Sequence, residues 1–202
     1  MSVENQVSSY RNWHIPYTRK DITLRQALDS LNAVRANATD SLLMLKLAKN
    51  PKFCQSGLGL FSGVIDVKQS DCIHIVLGRG LLNMDGAFTA GFTLGSSKKT
   101  TSSEQSVYAF IAKYLTPDVH EFSDEEMAVF KEGIRIAYIS GCSPLDQFDF
   151  SEWLDHPIET VRDAVGIEDE LMLAYYAVEQ RRHPLALASQ RLLPPEQKVV
   201  AF

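Results

Sequence analysis

The sequence predicts an all-helical protein, a single-domain irregular bundle of about eight helices with an apolar cavity. Three observations carry the helical class. Apolar residues recur at helical spacing in one segment after another, no run alternates with a period of two, and helix-starting and helix-stopping residues bracket the periodic stretches. With 202 residues, 45% apolar and 22% charged, the chain suffices for one good hydrophobic core and is marginal for two. No internal repeat interrupts it.

Residues 1–20 are polar and aromatic without a period and read as a mobile or loosely docked arm. Thr23 then opens a helix. Thr23 and Gln26 have the spacing of a capping box, and Leu24, Ala27, Leu28, Leu31 and Val34 follow on one face. A second helix is predicted over 40–48, closed by Asn50-Pro51 because proline disfavours a helical residue before it. QSGLGLFSG, residues 55–63, has three glycines and few polar groups, and reads as a buried turn or the lining of a cavity. The next helix covers 64–77 and stops near Gly78, with Gly80 following.

A helix over 85–94 is rich in small residues. Gly91 and Gly95, four apart, leave one side of it as bare backbone, against which either a neighbouring helix or a long thin ligand must lie. Residues 96–103 read as a surface loop, and 105–115 as a helix ended by Thr116-Pro117. Ser123 with Glu126 forms a second capping box, followed by an apolar stripe of Met127, Phe130, Ile134 and Tyr138 that runs to Gly141. That stripe reads as core, although a cavity wall has the same pattern. Two short helices open at Ser151 and Pro157, the second with Val161 and Val165 on one face and Gly166 as its stop. The last helix, 168–182, has acids early and arginines late, as the helix dipole favours. The helical domain is thus bounded at 21–193, with 194–202 an extended tail.

The net charge is −5 and basic residues cluster no further than Lys98-Lys99 and Arg181-Arg182, which argues against nucleic acid as the main partner. Cys54, Cys72 and Cys142 have no CxxC spacing and read as reduced, packed thiols. MSVENQVSSY at the N-terminus lacks the apolar run of a signal peptide, and no apolar stretch approaches the roughly 18 residues of a membrane span. The expectation is a cytoplasmic protein that can still be peripheral to a membrane through an exposed apolar patch.

The stretch that carries chemistry is QSDCIHIVLGRG, residues 69–80. Asp71 and His74 stand three apart on a predicted helix, and Ser70 shares the face of His74 one turn earlier. The pair reads as half of a metal site, or as a buried neutral histidine donating to Asp71 or to a carbonyl. As a general base it has no nucleophile placed beside it. Arg79, between two glycines at the helix end, either stabilises the last carbonyls or stands at a cavity mouth to bind an anionic head group. Cys72 faces away from the pair and reads as core, and Cys54 and Cys142 as structural. His14, His120, His156 and His183 lie in polar surroundings and read as surface residues.

Two stretches together resemble the coenzyme Q (ubiquinone) biosynthesis protein 4 family. Residues 70–92, SDCIHIVLGRGLLNMDGAFTAGF, are similar to its signature region, which has the order His-Asp-x-x-His, eleven residues, Glu. Asp71, His74, Gly78, Gly80, Ala87 and Phe92 fall on that pattern. Residues 148–167, FDFSEWLDHPIETVRDAVGI, are similar to its closing segment through Trp153, Leu154, Pro157, Val161, Arg162, Gly166 and Ile167. The matched stretches cover about a fifth of the chain. The resemblance implies a helical protein with a lipid-sized apolar cavity. It implies that the protein binds a polyprenylated quinone intermediate, supports a membrane-bound enzyme complex and takes part in removing the carboxyl carbon of the ring precursor. It also implies a divalent metal such as zinc on the His-Asp-x-x-His…Glu residues.

This chain departs from the pattern at the ligands. Ser70 stands at the first histidine position and Gly86, twelve after His74, at the glutamate position. Asp71 and His74 remain as metal candidates, and a hydroxyl and a glycine are poor substitutes in a zinc set. Asp85 is a further candidate, but a one-residue step turns a helical side chain by about 100°, so it needs a local irregularity that Gly86 eases. The leading expectation is a non-catalytic or weakly catalytic protein that binds an isoprenoid or quinone lipid near the 86–95 segment, with Arg79, Gly91 and Gly95 as ligand-binding residues. The alternatives are a metal-dependent enzyme acting on the carboxyl group of the ring precursor, and a helical scaffold for quinone-biosynthesis enzymes, as a homodimer or otherwise.

Overall fold

The computed structural model describes residues 12–36, 67–97 and 123–194. The protein is all-α: among these residues the regular elements are helices, and extended pairing is confined to one isolated bridge between Thr23 and Pro157. The helices are α1 (Leu24–Ala36), α2 (Val67–Val76), α3 (Asn83–Ser96), α4 (Asp124–Ser140), α5 (Ile158–Val165), α6 (Asp169–Arg182) and α7 (Leu187–Gln190), with a 3₁₀ turn at Phe150–Trp153. The helices expected at 40–48 and 105–115, the glycine-rich turn at 55–63, Cys54, His120 and residues 195–202 lie outside the described residues.

Both capping boxes form. Gln26 N–H donates to Thr23 Oγ1 at 3.1 Å while Thr23 N–H donates to Gln26 Oε1 at 3.0 Å, and Ser123 and Glu126 repeat the exchange at 3.2 and 2.9 Å. Gly78, Gly141 and Gly166 end α2, α4 and α5 in the left-handed conformation. At Gly78 this is also a packing requirement, since a Cβ there would stand 2.7 Å from Cα of Tyr17.

The core is built around the end of α2. Ile75, Val76 and Leu77 are fully buried, and a buried helix end leaves carbonyls that water cannot reach. Three distant side chains satisfy them. Arg162 of α5 donates through Nε to the Val76 carbonyl at 2.8 Å, the Tyr176 hydroxyl of α6 donates to the Leu77 carbonyl, and His14 Nε2 meets the Gly78 carbonyl at 3.0 Å. Arg162 also donates to the Tyr17 carbonyl at 2.7 Å, with its guanidinium 3.6 Å from the Tyr17 ring centre. The two stretches that carry the family resemblance are therefore joined in space by Arg162.

α3 and α4 run parallel. Their first turns share a groove, and the Leu145 amide that follows α4 donates to Ser96 at the end of α3, at 3.1 Å. The bare side of α3 lies against α4. A Cβ on Gly91 would overlap the Phe130 carbonyl, one on Gly95 the Ile134 carbonyl, and one on Gly133 would stand 2.6 Å from the Phe88 carbonyl. The glycines let two backbones touch, which is the neighbouring-helix reading of that face. The ligand-binding role expected for Gly91 and Gly95 is corrected on the same ground, because backbone fills the space beside them.

Three further expectations change. The arm predicted over 1–20 is part of the core from Trp13 onward, with Trp13, Ile15 and Tyr17 all buried, because alternate apolar residues of an extended segment point inward over α2 and α6. Tyr138 leaves the predicted α4 stripe and is 79% exposed; the buried face is Val129, Phe130, Gly133, Ile136 and Ala137. The C-terminal region carries a short helix, α7, and buries Leu192 and Leu193. Cys72 and Cys142 are buried free thiols, and burial raises the pKa of Cys142.

Candidate functional site

α2 and α3 face each other where His74 meets Thr89, a small polar contact called the niche. His74 points from α2 toward α3, where the Thr89 hydroxyl lies 3.4 Å from its Nδ1, and the ring also reaches the Gly80 carbonyl. Gly86 is three residues before Thr89 and shares its side of α3. Apart from its chain neighbours and its own helix backbone, nothing among the described residues lies within 4 Å of where a Gly86 side chain would begin. Ser70, His74, Gly86 and Ala90 are all half-exposed, in contrast to the buried residues around them. Desolvation lowers the His74 pKa, against the opposing pull of Asp85 and Asp71. His74 is therefore neutral near pH 7, with a tautomer set by its carbonyl partner.

The two carboxylates beside this niche are held by arginines. Asp71, 5% exposed, accepts both terminal nitrogens of Arg35 from α1, at 2.6 and 2.7 Å. Asp85 is fully buried, accepts the Leu82 amide at 3.1 Å at the start of α3, and pairs with Arg191. The donor set does not fit a divalent ion. Both Asp71 oxygens serve a guanidinium, Asp85 gives Oδ2 to Arg191 and to the Leu82 amide, Ser70 offers a hydroxyl and Gly86 nothing, which leaves one imidazole and the buried Asp85 Oδ1, too few for a zinc set. Among the described residues no three His, Cys, Asp or Glu side chains gather closely enough to hold a metal. Asp71 is thus an ion-pair partner of Arg35 and Asp85 of Arg191, and His74 stays in the niche.

Arg79 fills neither of its two expected roles. It is fully buried and pairs with Glu179 of α6 through two bonds, of 2.8 and 2.6 Å. Its guanidinium lies 3.8 Å from the Phe88 ring centre and 4.6 Å from that of Tyr176. Ser189 donates to the same carboxylate at 2.9 Å, and Tyr175 also bonds to it. Burial alone would raise the Glu179 pKa, but Arg79 overrides it and the carboxyl is held below its ordinary range. Sequence reasoning missed Glu179, although a signal exists: Met172, Tyr175, Tyr176, Glu179 and Gln180 form one helical stripe, and an acid inside an apolar stripe implies a buried cation opposite. Arg162 was placed only by resemblance, and its role at the end of α2 depends on the fold.

His14 was expected at the surface but is half-buried, between Gly78 and the Arg191–Asp85 pair. Burial first, and the Arg191 charge second, push its pKa down to about 4. The unfolded chain takes up this proton near pH 6.5, before the folded chain does. Stability from this group is therefore complete above pH 6.5 and is lost as pH falls toward 4, by up to about 3 kcal/mol. Urea unfolding across that range should show a His14→Gln variant with a shallower pH dependence than wild type. An unchanged slope would remove His14 as the cause.

These features define a helical domain with an uncharged histidine–hydroxyl niche between two helices and a buried arginine–glutamate pair beneath it. No protein-family model, curated protein or solved structure matches the chain. Among the described residues no helix is long and apolar enough to cross a membrane.

Proposed function

We propose that this chain is a lipid-binding protein of the ubiquinone-biosynthesis type. It takes a prenylated quinone intermediate or another isoprenoid lipid by its oxygen-bearing head, with little or no catalysis. One observation carries the reading: the niche of His74, Thr89 and Gly86 is polar but uncharged, because Arg35 and Arg191 neutralise the carboxylates on either side. A neutral imidazole and a hydroxyl can bond a ring carbonyl or phenol oxygen without paying the desolvation cost of an unpaired charge. The ligand class itself rests on the resemblance of residues 70–92 and 148–167, which the fold brings together through Arg162. A metal-dependent ring decarboxylation and a purely organising role are the rival readings. No reaction step follows from the donor set as it stands.

The test is uptake of a geranyl-substituted benzoquinone, followed by native mass spectrometry on the full chain. Wild type is expected to bind one molecule. Gly86→Leu, which adds a side chain where no described atom stands in the way, is expected to abolish binding without lowering the thermal midpoint. Absence of uptake by wild type would sink the proposal, and so would a stoichiometric divalent ion that disappears in His74→Ala.

A further inference from the structure

The connection between α6 and α7 carries an apolar surface that the niche does not explain. Leu185 is 97% exposed and Leu187 59%. The turn that presents them is tied down: the Ala186 amide donates to the His183 carbonyl at 3.2 Å, and the Gln190 side chain donates to the same carbonyl at 3.3 Å. A leucine held out in water on a fixed turn leaves its apolar area unburied, a common mark of an association surface. Beside Leu187 a groove of about 340 Å³ opens where the first turns of α3 and α4 meet, lined in part by Leu82, Met84 and Ala188 and rimmed by Glu125 and Glu126. In the helical turn before the leucines, Arg181 and Arg182 are exposed, and Arg182 reaches Glu132 only at 3.5 Å.

Basic residues, an apolar knob, an apolar groove and acidic residues thus follow one another across one surface. Such an order complements itself, since a two-fold axis brings each feature opposite its counterpart. We propose that two copies of this chain associate here, Leu185 of each entering the groove of the other, and Arg181 and Arg182 of each facing Glu125 and Glu126 of the other. An anionic membrane would also accept a leucine knob beside arginines. The acids at the start of α4, Asp124, Glu125 and Glu126, oppose that occupant and suit a second copy. The inference is independent of the ligand niche.

Sedimentation velocity on the full chain tests it. Wild type is expected to form a dimer and Leu185→Asp a monomer with an unchanged helical spectrum, because an exposed site tolerates the charge. Arg181→Glu and Glu125→Arg should each raise the dissociation constant roughly tenfold. Mixing those two variants should restore a heterodimer, in which both contacts again pair opposite charges. A wild-type monomer at high micromolar concentration overturns the proposal, as does a dimer that Leu185→Asp leaves intact. Wild-type monomers that bind phosphatidylcholine–phosphatidylserine vesicles through Leu185 would overturn it in favour of a membrane surface.

Discussion

Glu179→Ala is expected to destabilise the fold by about 3–5 kcal/mol, because it strands a guanidinium in the core. Arg79 has no exposed surface and donates two hydrogen bonds to one carboxylate, so nothing in its place can replace them. Ser189 and Tyr175 lose their acceptor in the same step. A stability of roughly 5–15 kcal/mol is usual for a domain, so this loss would move the urea midpoint by a large fraction of its value. The companion measurement is Arg79→Met with Glu179→Met. Replacing a buried ion pair by apolar residues of similar size is often close to neutral, so the double variant should recover much of what the single one loses. If Glu179→Ala unfolds at the wild-type midpoint, the pair is not buried as described.

The second large effect concerns the glycines of α3 and α4. Gly133→Ala would place a methyl 2.6 Å from the Phe88 carbonyl and 2.9 Å from the Phe92 nitrogen, both backbone atoms that cannot rotate away. The helices must separate, and overpacking of this kind costs about 1–3 kcal/mol, at the upper end here because the obstacle is backbone. Gly91→Ala meets the Phe130 carbonyl in the same way. Gly86, on the same helix as Gly91, makes the opposite prediction. With free space beside it, Gly86→Ala should stabilise α3 by up to about 1 kcal/mol, the ordinary gain of alanine over glycine in a helix. Thermal unfolding of the three variants separates the cases by sign. A Gly133→Ala variant as stable as wild type would contradict the close approach of α3 and α4.

The helical class, both capping boxes, the glycine stops and the buried face of α1 were legible in the sequence because each is a local matter. A threonine finds a glutamine three residues on, and Leu24, Ala27, Leu28 and Leu31 repeat within one helix. The niche was half legible. His74 and Ser70 share a face by spacing alone, but Asp71 could not be told from a metal ligand without Arg35, thirty-six residues earlier.

Some features needed the third dimension. Trp13, Ile15 and Tyr17 looked like a loose arm because an extended segment has no helical period, and they become core only when α2 and α6 are present to receive them. Arg79 and Glu179 are a hundred residues apart, and each alone looks like an ordinary surface charge. Local periodicity therefore determined which segments are helices, while long-range charge pairing decided which polar residues are interior. The physical reason is desolvation: a buried charge is tolerated only where its partner already stands, and only the tertiary structure fixes that place.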